Sequence, residues 1–189
     1  ITPAVLEDFR NKLFETYAGG TTNKIIETLM IILRSAYKQK LIPSIPEVEK
    51  CAVRDQGRGK LTLDEARRVF SVKWTDARAY TASRLSAATG MRLSEVLGLR
   101  VSDIASDGKI IISHVWDNRC RELKDTTKSG KPRVAMVPPS VMLDIEKLIE
   151  VHPYPGPDAF LFFSMRNKEK PAEPVTITGP LYKAMEAAG

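Results

Sequence analysis

Ala88-Thr89-Gly90-Met91-Arg92-Leu93-Ser94-Glu95-Val96-Leu97-Gly98-Leu99-Arg100 is the stretch whose reading decides the fold. It reads as a helix end, a glycine turn and a second amphipathic helix that opens on an arginine. Gly90 can adopt the left-handed backbone that closes a helix without a Cβ clash. Leu93, Val96, Leu97 and Arg100 then recur at helical spacing, so the stripe that begins at Leu93 turns toward a core. Arg92 falls at the first turn, where the helix dipole disfavours a cation unless an anion lies beside it. A helix start is itself anion-seeking, so Arg92 and the neighbouring N–H groups form a phosphate-sized cradle.

The surrounding chain has the bulk and the charge for such a partner. Its 189 residues can bury a sizeable core, and a hydrophobic fraction of 43% argues for a globular protein rather than a disordered one. Net charge is +6, with a pI near 9.3, which suits an acidic partner such as nucleic acid. The excess is uneven: residues 1–57 hold eight Lys/Arg against seven Asp/Glu, and residues 58–189 hold twenty-one against sixteen. The second part is therefore the one expected to meet a polyanion. Cys51 and Cys120 lie far apart and outside metal-ligand spacing, which fits incidental thiols in a reduced, cytoplasmic setting. The longest apolar run, 29–33, is far short of a membrane span, and no signal peptide opens the sequence. The chain starts at Ile1 and stops at Gly189 just after a helical pattern, so a fragment of a longer protein is expected.

Taken in order, Thr2-Pro3 is a helix start and the stripe Val5, Leu6, Phe9, Leu13, Phe14 predicts a helix over 3–17. Gly19-Gly20 breaks it, and Thr21 or Thr22 caps a second helix running to about Leu41 before Pro43 and Pro46. The polar, glycine-containing run 47–60 reads as a linker. Thr62-Leu63-Asp64-Glu65 is a capping box that opens a helix to about Phe70. Residues 76–89, rich in alanine and serine, form a helix suited to close packing. After the Asp107-Gly108 turn, 109–116 is β-branched and reads as a strand. Segments 119–127 and 131–137, flanking Ser129-Gly130, complete an expected three-stranded antiparallel sheet. Pro138-Pro139 ends it, a helix follows over 140–151, Phe160-Leu161-Phe162 is a buried run, and a last helix covers 177–188, capped by Thr176 or Thr178. The fold class is thus mainly α with a small antiparallel β-sheet (α+β).

Charge concentrates in one place. From Arg119 to Arg133 there are six Lys/Arg and two Asp/Glu. A two-stranded ribbon carrying Arg119, Arg121, Lys124, Lys128, Lys131 and Arg133 can follow a DNA groove and set a lysine against a phosphate. His114 and His152 have no partner at metal or triad spacing and read as structural, and Trp74 and Trp116 read as packing residues. There is no phosphate-binding glycine loop, no dinucleotide fingerprint and no acidic metal cluster, so ATP, NAD and a catalytic metal lack support and no cofactor is expected.

The Thr-Gly-Met-Arg turn followed by Ser-Glu and a leucine-rich helix resembles the first arginine box of the tyrosine recombinases, the phage integrase family. Thr126-Thr127-Lys128-Ser129-Gly130-Lys131 is similar to the family's lysine hairpin, and Leu61-Thr62 with Glu65-Ala66 to the start of its catalytic domain. The resemblance implies that residues 1–46 are the second half of a helical core-binding domain that clamps DNA, 47–60 the linker, and 61–189 the N-terminal portion of the catalytic domain. It implies that Arg92 grips the scissile phosphate, Glu95 supports it, and Lys128 acts as general acid on the leaving 5′ oxygen. Lys131, Arg133, Arg119, Arg121 and Lys124 become DNA contacts. The family also uses a His-x-x-Arg box and a nucleophilic tyrosine, and this sequence has neither. Tyr17, Tyr37, Tyr80, Tyr154 and Tyr182 all precede the place where that tyrosine would lie. The implied parent is a site-specific recombinase of bacterial or phage origin that works through a 3′-phosphotyrosyl link. Its partners would be double-stranded DNA and further copies of itself, a tetramer by analogy, with no membrane involved. Two other readings share these features: a type IB topoisomerase and a non-catalytic DNA-binding protein.

Overall fold

Two glycines that look like a helix breaker are in fact the first turn of a helix. In the computed structural model, which describes residues 1–53, 59–105, 107–125 and 131–189, α1 spans Pro3–Thr16 and α2 spans Gly19–Lys38. The break falls at Tyr17-Ala18, both extended, and α2 begins before the expected Thr21 or Thr22 cap. The reason is a close approach: a Cβ on Gly19 would lie 2.4 Å from the Ala52 carbonyl oxygen, so glycine admits the returning chain. That return is fixed by Asn23, whose amide donates to the Cys51 carbonyl at 3.0 Å and accepts from the Cys51 N–H at 2.8 Å, as a strand partner would. Leu6, Ile26 and Leu33 supply the buried apolar side chains of this unit, Ile1–Lys60.

The second unit, Leu61–Gly189, is built around α4 (Ala77–Thr89). Ahead of it, α3 (Leu63–Ser71) opens on the expected capping box: the Glu65 N–H donates to Thr62 Oγ1 at 3.3 Å, and the Thr62 N–H to Glu65 Oε2 at 2.6 Å. Asp76 caps α4 by accepting from the N–H groups of Arg78 and Ala79. Ala79, Ala82 and Leu85 are fully buried, and the small residues let α4 pack against α6 (Pro139–Glu150) and α7 (Pro174–Ala188). α7 starts earlier than the expected Thr176 or Thr178 cap, because Pro174 serves as its first residue, where a missing N–H costs nothing. Gly90, at φ 67°, ends α4 as its sequence requires.

The next helix, α5, covers only Leu93–Gly98. Arg100 is therefore not on its face; it bridges to Phe160 in extended backbone, with its guanidinium 4.9 Å from the Phe160 ring. The helix stops because its last residue lies flat on a strand. A Cβ at Gly98 would sit 3.1 Å from backbone atoms of His114, Val115 and Trp116. Leu85, Val96, Leu97, Ile110, Ile112, Trp116, Ile145 and Phe162 belong to one continuous core beneath it.

The expected three-stranded sheet is replaced by two two-stranded ladders that share one segment. β1 (Lys109–Ile112) pairs antiparallel with β4 (Arg133–Met136), and β2 (Val115–Asp117) with β3 (Glu122–Lys124). Among the described residues β3 and β4 do not pair with each other. Alternation decides this: Ile110, Ile112 and Trp116 all face the core, so 109–117 acts as one inward-facing edge that both returning segments need for burial. The register sets Ile112 opposite Arg133 and Trp116 opposite Leu123.

Candidate phosphate-gripping site

Glu95 holds the centre of the site. It lies on the one turn of α5 that faces inward, between Leu93 and Val96, and is 1% exposed. A buried carboxylate there must find donors, and it finds four. The Arg92 N–H donates to Oε2 at 2.8 Å, closing the first turn of α5, and Arg92 Nη1 donates to Oε1 at 3.2 Å. From β4, Arg133 donates through both terminal nitrogens, Nη1 to Oε1 and Nη2 to Oε2, each at 2.8 Å. The Arg133 fork is the main cause holding the Glu95 carboxyl down at about 2, with the Arg92 N–H and the two positive charges adding to it against the cost of burial. Arg133 is pushed further up by the same bonds.

Arg92 is the N-cap of α5, and its side chain is 58% exposed. Its guanidinium meets Glu95 through one nitrogen, which leaves its other donors available to a ligand. The three side chains carry a net charge of +1, and Arg92 is the more exposed of the two cations, 58% against 39% for Arg133. Such a group can receive a phosphate oxygen.

The other cations differ in how committed they are. Lys124 is bonded to Asp117 and lies 3.5 Å from Glu122, which raises its pKa. Asp117, held down to about 2 chiefly by Lys124, also accepts from the N–H groups of Arg119 at 2.9 Å and Cys120 at 3.3 Å, so it braces the whole β2–β3 turn. Arg121 sits there at φ 56°. The side chains of Arg119 and Arg121 make no hydrogen bond or ion pair among the described residues. The turn forms one wall of a cleft of about 490 Å³, with Leu93, Ser94 and Leu97 of α5 opposite Trp116 and Arg119. Lys131 is exposed. Lys128, the expected general acid, lies outside the described residues.

The remaining candidates have structural surroundings. His152 bonds the Phe160 carbonyl and the Tyr154 N–H through its two ring nitrogens. Trp74 donates to the Val69 carbonyl and stacks with Phe70, and Trp116 packs edge-on against Phe160. His114 contacts Ser113 Oγ at 2.7 Å and Asp125 at 3.4 Å. Arg133, expected only as a DNA contact, is instead the main partner of Glu95. The signal for its partnership was Glu95 itself, an acid inside an apolar stripe.

The phage integrase family matches this chain over residues 60–189, and the chain belongs to that family. Its fold is shared by solved structures of low identity. The Tn1549 transposon integrase in complex with a circular intermediate DNA superposes with a TM-score of 0.82 at 17% identity, covering 100% of this chain and 66% of that one. A lambda integrase tetramer bound to a Holliday junction gives 0.72 at 20%, over 100% and 53%. XerA recombinase gives 0.54 at 20%, over 100% and 62%. The chain thus spans two thirds or less of the length of these proteins. No curated protein matches its sequence. Among the described residues no helix is long and apolar enough to cross a membrane.

Proposed function

We propose that this chain is part of a tyrosine recombinase that performs site-specific recombination on double-stranded DNA. Residues 61–189 are then the first portion of its catalytic domain, and 1–46 the second half of its core-binding domain. The observation that carries the reading is Arg92, outward-facing at the start of α5 on a buried carboxylate, inside the segment that matches the family. In this role Arg92 stabilises the negative charge that builds on the phosphoryl oxygens in the transition state. Lys128 protonates the departing 5′ oxygen. A tyrosine supplied from beyond these residues attacks phosphorus and becomes the 3′-phosphotyrosyl ester. The link conserves the phosphodiester energy, so the cycle needs no nucleotide cofactor. Arg119 and Arg121, which have no carboxylate partner among the described residues, contact the DNA backbone. Copies assemble on DNA as a tetramer, in the cytoplasm of a bacterial host. This chain alone cuts nothing.

The test sets the native-length gene product beside this chain on a nicked duplex carrying its attachment site. Denaturing gels are then read for a covalent protein–DNA band. The long protein should give the band and its Arg92→Ala variant should not, although the variant still binds. Salt-sensitive binding without a band from either protein would refute the recombinase and leave a DNA-binding protein.

A further inference from the structure

The three-residue cluster poses a question that the phosphate grip alone does not answer. Arg92 and Glu95 are adjacent on one helix turn, and a carboxylate with two oxygens matches a guanidinium fork. Left to themselves they would close into a bidentate pair with no net charge, and the phosphate would have to compete with it. In the structure the fork-facing edge of the carboxylate is already taken by Arg133, at 2.8 Å to each oxygen. The Arg92 guanidinium is left with a single longer bond of 3.2 Å, while the Arg92 N–H keeps its own at 2.8 Å. Arg133 is placed to do this by the sheet, since register sets it opposite Ile112 on the inward face of β4. Arg92 and Arg133 are the charged groups that bear on Glu95.

We propose that Arg133 is a positioning residue: by occupying and neutralising Glu95 it keeps the Arg92 guanidinium outward and charged toward the DNA phosphate. This rests on the recombinase reading, in that Arg92 is taken to meet a phosphate. Arg133 acts through Glu95 and Arg92 and does not itself touch the DNA.

The test measures affinity of the full chain for a fluorescein-labelled 30-base-pair duplex across a salt series. Four proteins are compared: the unaltered chain, Arg92→Ala, Arg133→Gln, and the double variant Glu95→Gln with Arg133→Gln. Urea unfolding followed by tryptophan fluorescence identifies any variant that has lost its fold. Arg92→Ala should weaken binding roughly 3- to 10-fold, and the slope of log affinity against log salt should fall by about 0.9. Arg133→Gln should do the same, because the unopposed carboxylate draws Arg92 inward. Removing that carboxylate as well should restore affinity to within roughly twofold and return the slope, with Arg92 free again. A merely architectural Arg133 predicts no such rescue, and neither does one that touches the backbone directly. A double variant as weak as Arg133→Gln would overturn the proposal. Should Glu95→Gln unfold the double variant, Arg133→Lys replaces it: the returned charge should recover most of the affinity, and a lysine variant as weak as the glutamine one would overturn the proposal. Arg92→Ala binding as tightly as the unaltered chain would instead remove the phosphate-grip reading beneath it, a separate failure.

Discussion

Replacing Glu95 by glutamine keeps its shape and one acceptor oxygen but removes its charge, so the cost isolates what the ionised carboxylate contributes. Its carboxyl is held at about 2 in the folded chain, against an ordinary 4.5. At about 1.4 kcal/mol per tenfold, that difference stabilises the native state by about 3 kcal/mol wherever the carboxyl is ionised in both states. The sign follows from a folded value lying below the unfolded one. The stabilisation is complete above pH 4.5 and fades as pH falls toward 2. Glu95→Gln lacks it at every pH, and contributions from all other carboxylates cancel in the difference. The variant should therefore be less stable by about 3 kcal/mol at pH 7 and by about half of that at pH 3. Trp74 and Trp116 both lie in the second unit, so tryptophan fluorescence during urea unfolding reports the domain in question. A penalty equal at pH 7 and pH 3, or absent at pH 7, would refute the reasoning.

Two further perturbations probe what holds the site in place. Gly98→Ala puts a methyl group 3.1 Å from three backbone atoms of the His114–Trp116 segment, and backbone cannot swing aside. The α5 helix and β2 must part by a few tenths of an ångström, at a cost of about 1–2 kcal/mol read from the urea midpoint; an unchanged midpoint would show that the contact is loose. Asp117→Ala releases the N–H groups of Arg119 and Cys120 together with Lys124. Trypsin should then cut after Arg119 and Arg121 several-fold faster, as followed by mass spectrometry, whereas an unaltered rate would mean that the turn stands without its brace.

What the sequence revealed and what it concealed divide along the range of the interactions. The capping box at Thr62, the left-handed turn at Gly90 and the burial of Phe160-Leu161-Phe162 depend on neighbours within a few residues, and all three are as expected. So is the mainly helical class with minor antiparallel strands. Gly19-Gly20 reads as a break because its real purpose, room for Ala52, lies more than thirty residues away. The sheet departs from expectation for a related reason. Hydrophobic alternation in 109–117 is plain, but nothing local says that both later segments will pair with it. The link between Glu95 and Arg133 spans 38 residues and exists only once β4 is in register with β1. An acid inside the stripe Leu93, Val96, Leu97 announces that a cation must come, though not which of the six between 119 and 133.

The shared segment 109–117 carries two ladders at once. It works as a mounting rail with two separate fixings, one at residues 122–124 and the other at 133–136. Each fixing is secured by its own cross-strand pairs and its own inward side chain. A perturbation confined to one ladder therefore leaves the cross-strand pairs of the other in place, so the braced turn at Asp117 and the clamp at Arg133 are held separately.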